Sequence, residues 1–165
     1  MSVIAAKVYD DHVKIAADSI IVRGYFSKRV NNFTKLIKKN GMIVGSTGSC
    51  EEASFMWNYM GTHKPKSATE EDVLAFLIEF AEYKNKIGAG SKIENSYLLV
   101  FKGRLFHISN MFVQEIEDYI AVGAGEDFSN AAMYLGHDPE KAVKTACELC
   151  CFVSEPIISY TQNRN

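Results

Sequence analysis

Hydrophobic periodicity along this chain changes in blocks, and the order of those blocks restricts the fold more than any single motif does. The chain opens with short alternating runs. Val3–Val8 and His12–Ala17 are apolar-rich and β-compatible, and Tyr9-Asp10-Asp11 joins them, which predicts a hairpin. Ser19–Val30 is mixed, with a bend expected at Gly24. Phe33–Ile37 and Met42–Gly45 predict a second hairpin around Lys39-Asn40-Gly41, because Asn-Gly suits a tight turn with positive φ.

The period then becomes helical. Ser49 suits an N-cap, with Glu51 and Glu52 at the positive end of the helix dipole, and the helix is expected to reach about Met60. A loop, GTHKPKSA, follows. Thr69 starts a second helix, with Asp72 in the position of a capping-box acid. Val73, Phe76, Leu77 and Phe80 fall on one stripe of it. After Gly88-Ala89-Gly90, strands return. Ser96–Phe101 and Leu105–Ser109 form a hairpin around Lys102-Gly103, and Phe112–Ile116 and Tyr119–Val122 add further strand. Helical spacing resumes over Asp127–Leu135 and Pro139–Val153, the latter with Asp138 as cap and Pro139 in the first turn. Pro156 stops that helix, and Ile157–Tyr160 makes a last strand.

Strands and helices thus fall in separate blocks, which defines an α+β chain rather than a βαβ wind. Two helix pairs, each with an apolar stripe, suit the two outer faces of a pair of stacked sheets. A length of 165 residues fits one domain over residues 1–165 with a real core. A net charge of −2 argues against sequence-independent nucleic-acid binding, which needs a basic surface. No apolar run is long enough to cross a bilayer and no signal-peptide pattern precedes the first strand, so no membrane association and a cytoplasmic location are expected.

The cysteines are Cys50, Cys147, Cys150 and Cys151. Cys147 and Cys150 form a CxxC, but a metal site would want two more ligands nearby, and only His137 offers itself. Their i, i+3, i+4 spacing reads better as a helix face, and no metal is expected. GAGEDF lacks the lysine of a phosphate loop and a full GxGxxG. Lys35, Lys38 and Lys39 read as a solvated hairpin. Part of the set Met56, Trp57, Tyr59 and Met60 is expected to contact another subunit.

Three stretches carry a family resemblance. Ser2 follows Met1 directly, and AADS places Asp18 sixteen positions on (18 − 2 = 16). GSTGSCEEA, residues 45–53, joins a strand end to a helix start. AVGAGEDFSNAAMYL, residues 121–135, is a glycine turn entering a helix with paired alanines, and PEKAVKTACELC follows it. In these stretches, and in element order over nearly its whole length, the chain resembles the proteasome β subunit and the bacterial HslV peptidase. The resemblance implies a four-layer α-β-β-α N-terminal nucleophile (Ntn) hydrolase sandwich. It also implies a homo-oligomer of stacked six- or seven-membered rings, a polypeptide substrate, an ATPase unfoldase or cap as partner, and no cofactor.

The same resemblance assigns the chemistry. With Met1 removed, Ser2 stands where the family has its N-terminal threonine. The hydroxyl attacks the peptide carbonyl, and the free α-amine, with an ordinary pKa near ~8, takes the proton. Asp18 matches the family aspartate that holds a buried lysine. Counting without gaps puts Thr34 at the lysine position. A one-residue shift brings Lys35 there, and other placements put Asn32 or Phe33 there. One step along a strand sends a side chain to the opposite face, so these alternatives differ sharply. Lys35 is taken as the candidate. Gly48 would give the oxyanion its N–H donor, with Gly45 as the other placement. Two departures stand out. Ala124 replaces a family serine between Gly123 and Gly125, and the family's acid or amide after the last helix has only Glu155 as a near match. Two readings therefore stay open: an N-terminal serine peptidase, or a ring protein that has lost catalysis and serves as a scaffold or binding partner.

Overall fold

The structure is a computed structural model that describes residues 1–23, 26–29 and 34–164, with backbone alone at 22–23 and 26–29. Gly24, Asn32 and Phe33 therefore lie outside the described residues. Element order is β1 (Val3–Val8), β2 (His12–Ala17), β3 (Ile20–Arg23), β4 (Phe26–Arg29), β5 (Leu36–Lys39) and β6 (Met42–Thr47). Helices α1 (Cys50–Tyr59) and α2 (Glu70–Lys86) follow. Then come β7 (Ser96–Phe101), β8 (Arg104–Ser109), β9 (Phe112–Ile116), β10 (Tyr119–Gly123), α3 (Glu126–Tyr134), α4 (Pro139–Leu149) and β11 (Ile158–Asn163).

Two antiparallel sheets stack, in the orders β10-β1-β2-β11 and β5-β6-β7-β8-β9, and β3-β4 forms a separate hairpin. Strand alternation sorts the side chains into layers. Ile4, Ala6, Ile15, Leu36, Ile43, Leu98 and Val100 point inward and fill the space between the sheets. Their neighbours Met42, Val44, Tyr97, Leu99 and Phe101 point outward and pack under the α1 and α2 stripes, including Met56, Phe76, Leu77 and Phe80. On the other side, Val3, Ala5 and Ala16 meet Ala132, Met133, Ala142, Val143 and Ala146 of α3 and α4. The layers run helix, sheet, sheet, helix.

Local signals account for the helix starts. Ser49 accepts from the N–H groups of Glu51 and Glu52, Thr69 from Asp72, and Asp138 from Lys141. Helix α3 begins after Gly125 without a side-chain cap. Several boundaries differ from the sequence expectation, among them β5, which runs on to Lys39 rather than ending at Ile37. Helix α4 ends at Leu149 rather than Val153, because Cys150 is already extended (φ −111°, ψ 119°). Val153 still joins the α3–α4 core from the following turn, which is why the apolar spacing ran past the helix end. Strand β6 continues to Thr47, paired with Ser96, and β11 continues through polar residues to Asn163, paired with His12. Of the set Met56, Trp57, Tyr59 and Met60, part of which is expected to contact another subunit, Met56, Tyr59 and Met60 are core residues. All three are buried inside the chain, in the α1–α2 layer, because they fall on the helix face turned to the sheet.

Candidate active site

The open end of the sandwich gathers the residues singled out by sequence. Strand β1 starts at Val3, and Ser2, just before it, is buried while Met1 is exposed. Strand β2 ends at Ala17. Asp18 continues its ladder by one step, donating its N–H to the Val3 carbonyl at 3.3 Å. The Asp18 carboxylate turns back under the first strand. Its Oδ1 accepts the Val3 N–H at 2.8 Å, and its Oδ2 accepts the Ile20 N–H at 3.4 Å.

Lys35 comes from the neighbouring sheet, one residue before β5. Its Nζ donates to Asp18 Oδ1 at 2.8 Å and Oδ2 at 2.7 Å. Both side chains are buried, Lys35 at 4% exposure and Asp18 at 0%. The pair ties the two sheets together at this end. The same Nζ donates to the Met1 carbonyl oxygen at 3.2 Å, the oxygen of the peptide bond that precedes Ser2. Burial pulls the Lys35 ammonium below its ordinary pKa, and the contact with Asp18 offsets only part of this. Thr34, by contrast, serves its own backbone. Its hydroxyl donates to the Leu36 carbonyl at 2.6 Å and accepts the Leu36 N–H at 3.1 Å.

Register explains why Lys35 reaches the cleft. Ser46 donates its N–H to the Lys35 carbonyl at 3.1 Å, so these two residues lie opposite each other. Opposed residues share a sheet face. Both line a small cleft open to solvent, together with Met1, Ser2, Ile20, Gly48, Ser49, Cys50 and Trp57. Gly48 sits at φ +125°, a conformation that disfavours side chains, in the turn between β6 and α1. Gly45 is placed elsewhere: a Cβ there would press on Leu36 and Ile4 in the inter-sheet core, at 2.8 and 2.9 Å.

The glycine turn after β10 closes the other side of Ser2. Val3 pairs with Gly123, and the Gly125 N–H donates to the Ser2 carbonyl at 3.4 Å. Ala124 is exposed between them. Ser129 is buried in α3 and donates its hydroxyl to the Ala142 carbonyl at 3.1 Å, tying α3 to α4 rather than serving the cleft. Glu155 is exposed and does not line the cleft. Cys147 is half-buried and Cys150 buried, while Cys50 and Cys151 are exposed. Burial first, then the charges of Asp18 and Glu155, push the Cys147 thiol up to about 12. Among the described residues, no group of three or more His, Cys, Asp and Glu side chains is placed to hold a metal ion, and no helix is long and apolar enough to cross a membrane.

Sequence reading missed a second buried ion pair behind the cleft. Glu52 of α1 and Lys84 of α2 meet at 2.5 Å, each about 5% exposed. The Glu52 carboxylate also accepts from the N–H groups of Glu94 and Asn95 and from the Tyr97 hydroxyl. Burial works to raise the Glu52 pKa, but the Lys84 ammonium and these donors outweigh it and hold the carboxyl below its ordinary range. The signal was present in the sequence. Lys84 follows Val73, Phe76, Leu77 and Phe80 on the α2 stripe, and Glu52 lies one turn before Met56, so both helices carry a charge on their apolar faces.

The layers and element order are those of solved proteasome-like structures. The structure is similar over 99% of both chains to BPH, a bacterial proteasome homologue, from Thiobacillus denitrificans in complex with epoxomicin, at 18% identity and a TM-score of 0.89. It is similar to the eukaryotic HslV of Trypanosoma brucei at 19% identity and a TM-score of 0.73, over 98% of this chain and 99% of that one. It is also similar to Anbu, an ancestral β-subunit from Yersinia bercovieri, at 16% identity and a TM-score of 0.68, over 98% of this chain and 82% of that one. At these identities the likeness establishes the fold. No protein-family profile matches the sequence, and neither does any curated protein.

Proposed function

We propose that this chain is the subunit of a self-compartmentalising peptidase that uses Ser2 as an N-terminal nucleophile once Met1 is removed. The observation that carries the proposal is the buried Lys35–Asp18 pair, whose ammonium lies 3.2 Å from the carbonyl oxygen of the peptide bond to be cut away. Burying two charges costs several kcal/mol of desolvation before their attraction is counted, and an apolar pair would serve packing as well. A cation kept there despite that cost suits a site where charge develops during reaction.

The chemistry follows from the residues in place. Removal of Met1 takes away the carbonyl that Lys35 contacts and creates the α-amine of Ser2. The nearby Lys35 charge disfavours protonation of that amine, which keeps it available as a base. The Ser2 hydroxyl adds to the carbonyl carbon of a bound peptide and its proton passes to the α-amine. The carbonyl oxygen becomes an oxyanion, which the Gly48 N–H stabilises. Collapse breaks the C–N bond, and the α-ammonium returns the proton to the leaving amine. Water then attacks the ester by the same route, releasing the acid and regenerating Ser2. Asp18 takes no proton in this sequence and holds Lys35 in position. No metal or organic cofactor enters.

Assembly into stacked six- or seven-membered rings in the cytoplasm, fed with polypeptide by an ATPase or a cap, is part of the proposal. Exposed apolar side chains support it: Tyr134 and Leu135 at the end of α3, and Leu149 at the end of α4, are each more than 60% exposed. One observation favours a second reading, a ring protein without catalysis. Ala124 stands between Gly123 and Gly125 where the family resemblance expects a serine hydroxyl. Turnover of fluorogenic peptides by protein with a free Ser2, against a Ser2→Ala variant, separates the two. Hydrolysis lost in the variant supports the peptidase, and equal rates in both, or none in either, reject it.

A further inference from the structure

The turn that carries Gly48 is not held by its own strand and helix alone. Asn95, 2% exposed, lies immediately before β7 and beside the end of β6. Its single side-chain amide grips the turn at two points. Oδ1 accepts the Ser49 N–H at 2.6 Å, while Nδ2 donates to the Ser49 carbonyl at 2.8 Å and to the Ser46 hydroxyl at 2.9 Å. The grip is close: a Cβ on Gly48 would fall 2.2 Å from Asn95 Oδ1. Asn95 is itself anchored from behind. Its N–H donates to Glu52 Oε1 at 3.0 Å, and Glu52 is fixed by Lys84 and by the Tyr97 hydroxyl at 2.8 Å.

Every polar hydrogen of the Asn95 amide thus has a partner, and each partner belongs to the segment that flanks Gly48. A fully satisfied buried network of this kind admits one geometry and resists drift. We propose that Asn95 is a positioning residue, which with the Glu52–Lys84 pair behind it fixes the Gly48 N–H as the oxyanion donor. This assignment rests on the peptidase reading given above. Its consequence is specific: loosening the turn should harm the tetrahedral intermediate and spare ground-state binding.

The test uses the assembled protein with a free Ser2, a fluorogenic peptide, and two ligands of matched sequence. One is a peptide aldehyde, which forms a tetrahedral adduct with the nucleophile, and the other is the product acid. Asn95→Ala removes every contact of the amide. Asn95→Asp keeps the size and the acceptor for the Ser49 N–H but loses both N–H donors, and it carries the test should the alanine variant not fold. Misplacing one oxyanion donor predicts a fall in kcat of about 10- to 100-fold, with a similar loss of aldehyde affinity. KM and product affinity should stay within about threefold. Glu52→Gln, one step further back, should lower kcat less than either Asn95 variant. Unchanged kcat in a folded Asn95 variant overturns the assignment. So does a parallel fall in kcat, product affinity and thermal stability, which would mark a general structural role. A wild-type protein that hydrolyses no peptide overturns the peptidase reading first, and the assignment with it.

Discussion

Replacing Lys35 by methionine removes an ammonium from a carboxylate that has no access to water. Asp18 would keep the Val3 N–H at 2.8 Å and the more distant Ile20 N–H at 3.4 Å, but would lose both contacts to Nζ, at 2.8 and 2.7 Å. Stranding one partner of a buried pair costs about 3–5 kcal/mol. That is a large share of the roughly 5–15 kcal/mol that stabilises a typical domain. Pairing Lys35→Met with Asp18→Asn removes the stranded charge, and the new amide can still accept the Val3 N–H. The double variant should therefore recover about 2 kcal/mol or more relative to the sum of the single changes. Urea unfolding of the four proteins at one protein concentration measures this coupling, since assembly makes stability depend on concentration. Peptide turnover, measured on the same samples, should be absent from all three variants, including the one whose stability returns. A Lys35→Met cost below about 1 kcal/mol, or strict additivity in the double variant, would refute the claim that the pair is buried and mutually dependent.

Three further outcomes are expected. Because the Glu52 carboxyl is held below its ordinary value of 4.5, its contribution to stability is complete above that value and is lost as pH falls through its folded-state pKa. Unfolding free energy measured from about pH 5 to pH 3 should fall less steeply in Glu52→Gln than in wild type, and equal slopes would contradict the assignment. Gly123→Ala would set a Cβ 2.4 Å from the Ser2 backbone oxygen at φ +99°. It should destabilise the chain by about 2 kcal/mol or more and displace the Ser2 segment, as read by unfolding and by loss of turnover. With its thiol near 12, Cys147 should resist alkylation at neutral pH, while exposed Cys50 and Cys151 react, as peptide mass mapping after iodoacetamide would show.

The layer order was legible because it depends on blocks of period, which survive errors at individual positions. Asp18 is singled out through the family resemblance, by the spacing of AADS from Ser2, and the structure places its carboxylate on Lys35. Lys35 was ambiguous for a physical reason. A lysine opposite Ser46 and a threonine one step earlier differ in sheet face, and that step is set by pairing with β6 rather than by any local pattern. The Thr34 hydroxyl that folds back on Leu36 shows the alternative side chain bonded to the backbone instead. The end of α4 was overrun because Val153 completes the core from a turn. Asn95 had no local mark at all. Its partners are 43 to 49 positions away in sequence, and only the pairing of β6 with β7 brings them together.

The central claim is that Ser2 acts as a nucleophile through its own free amine. An intact mass spectrum of untagged protein, before and after exposure to a β-lactone that acylates N-terminal serine, tests it most directly, with Ser2→Ala alongside. The account predicts a mass lacking Met1 and a single adduct that disappears in the variant. A protein that retains Met1, or one that lacks it and takes no Ser2-dependent adduct, would contradict it.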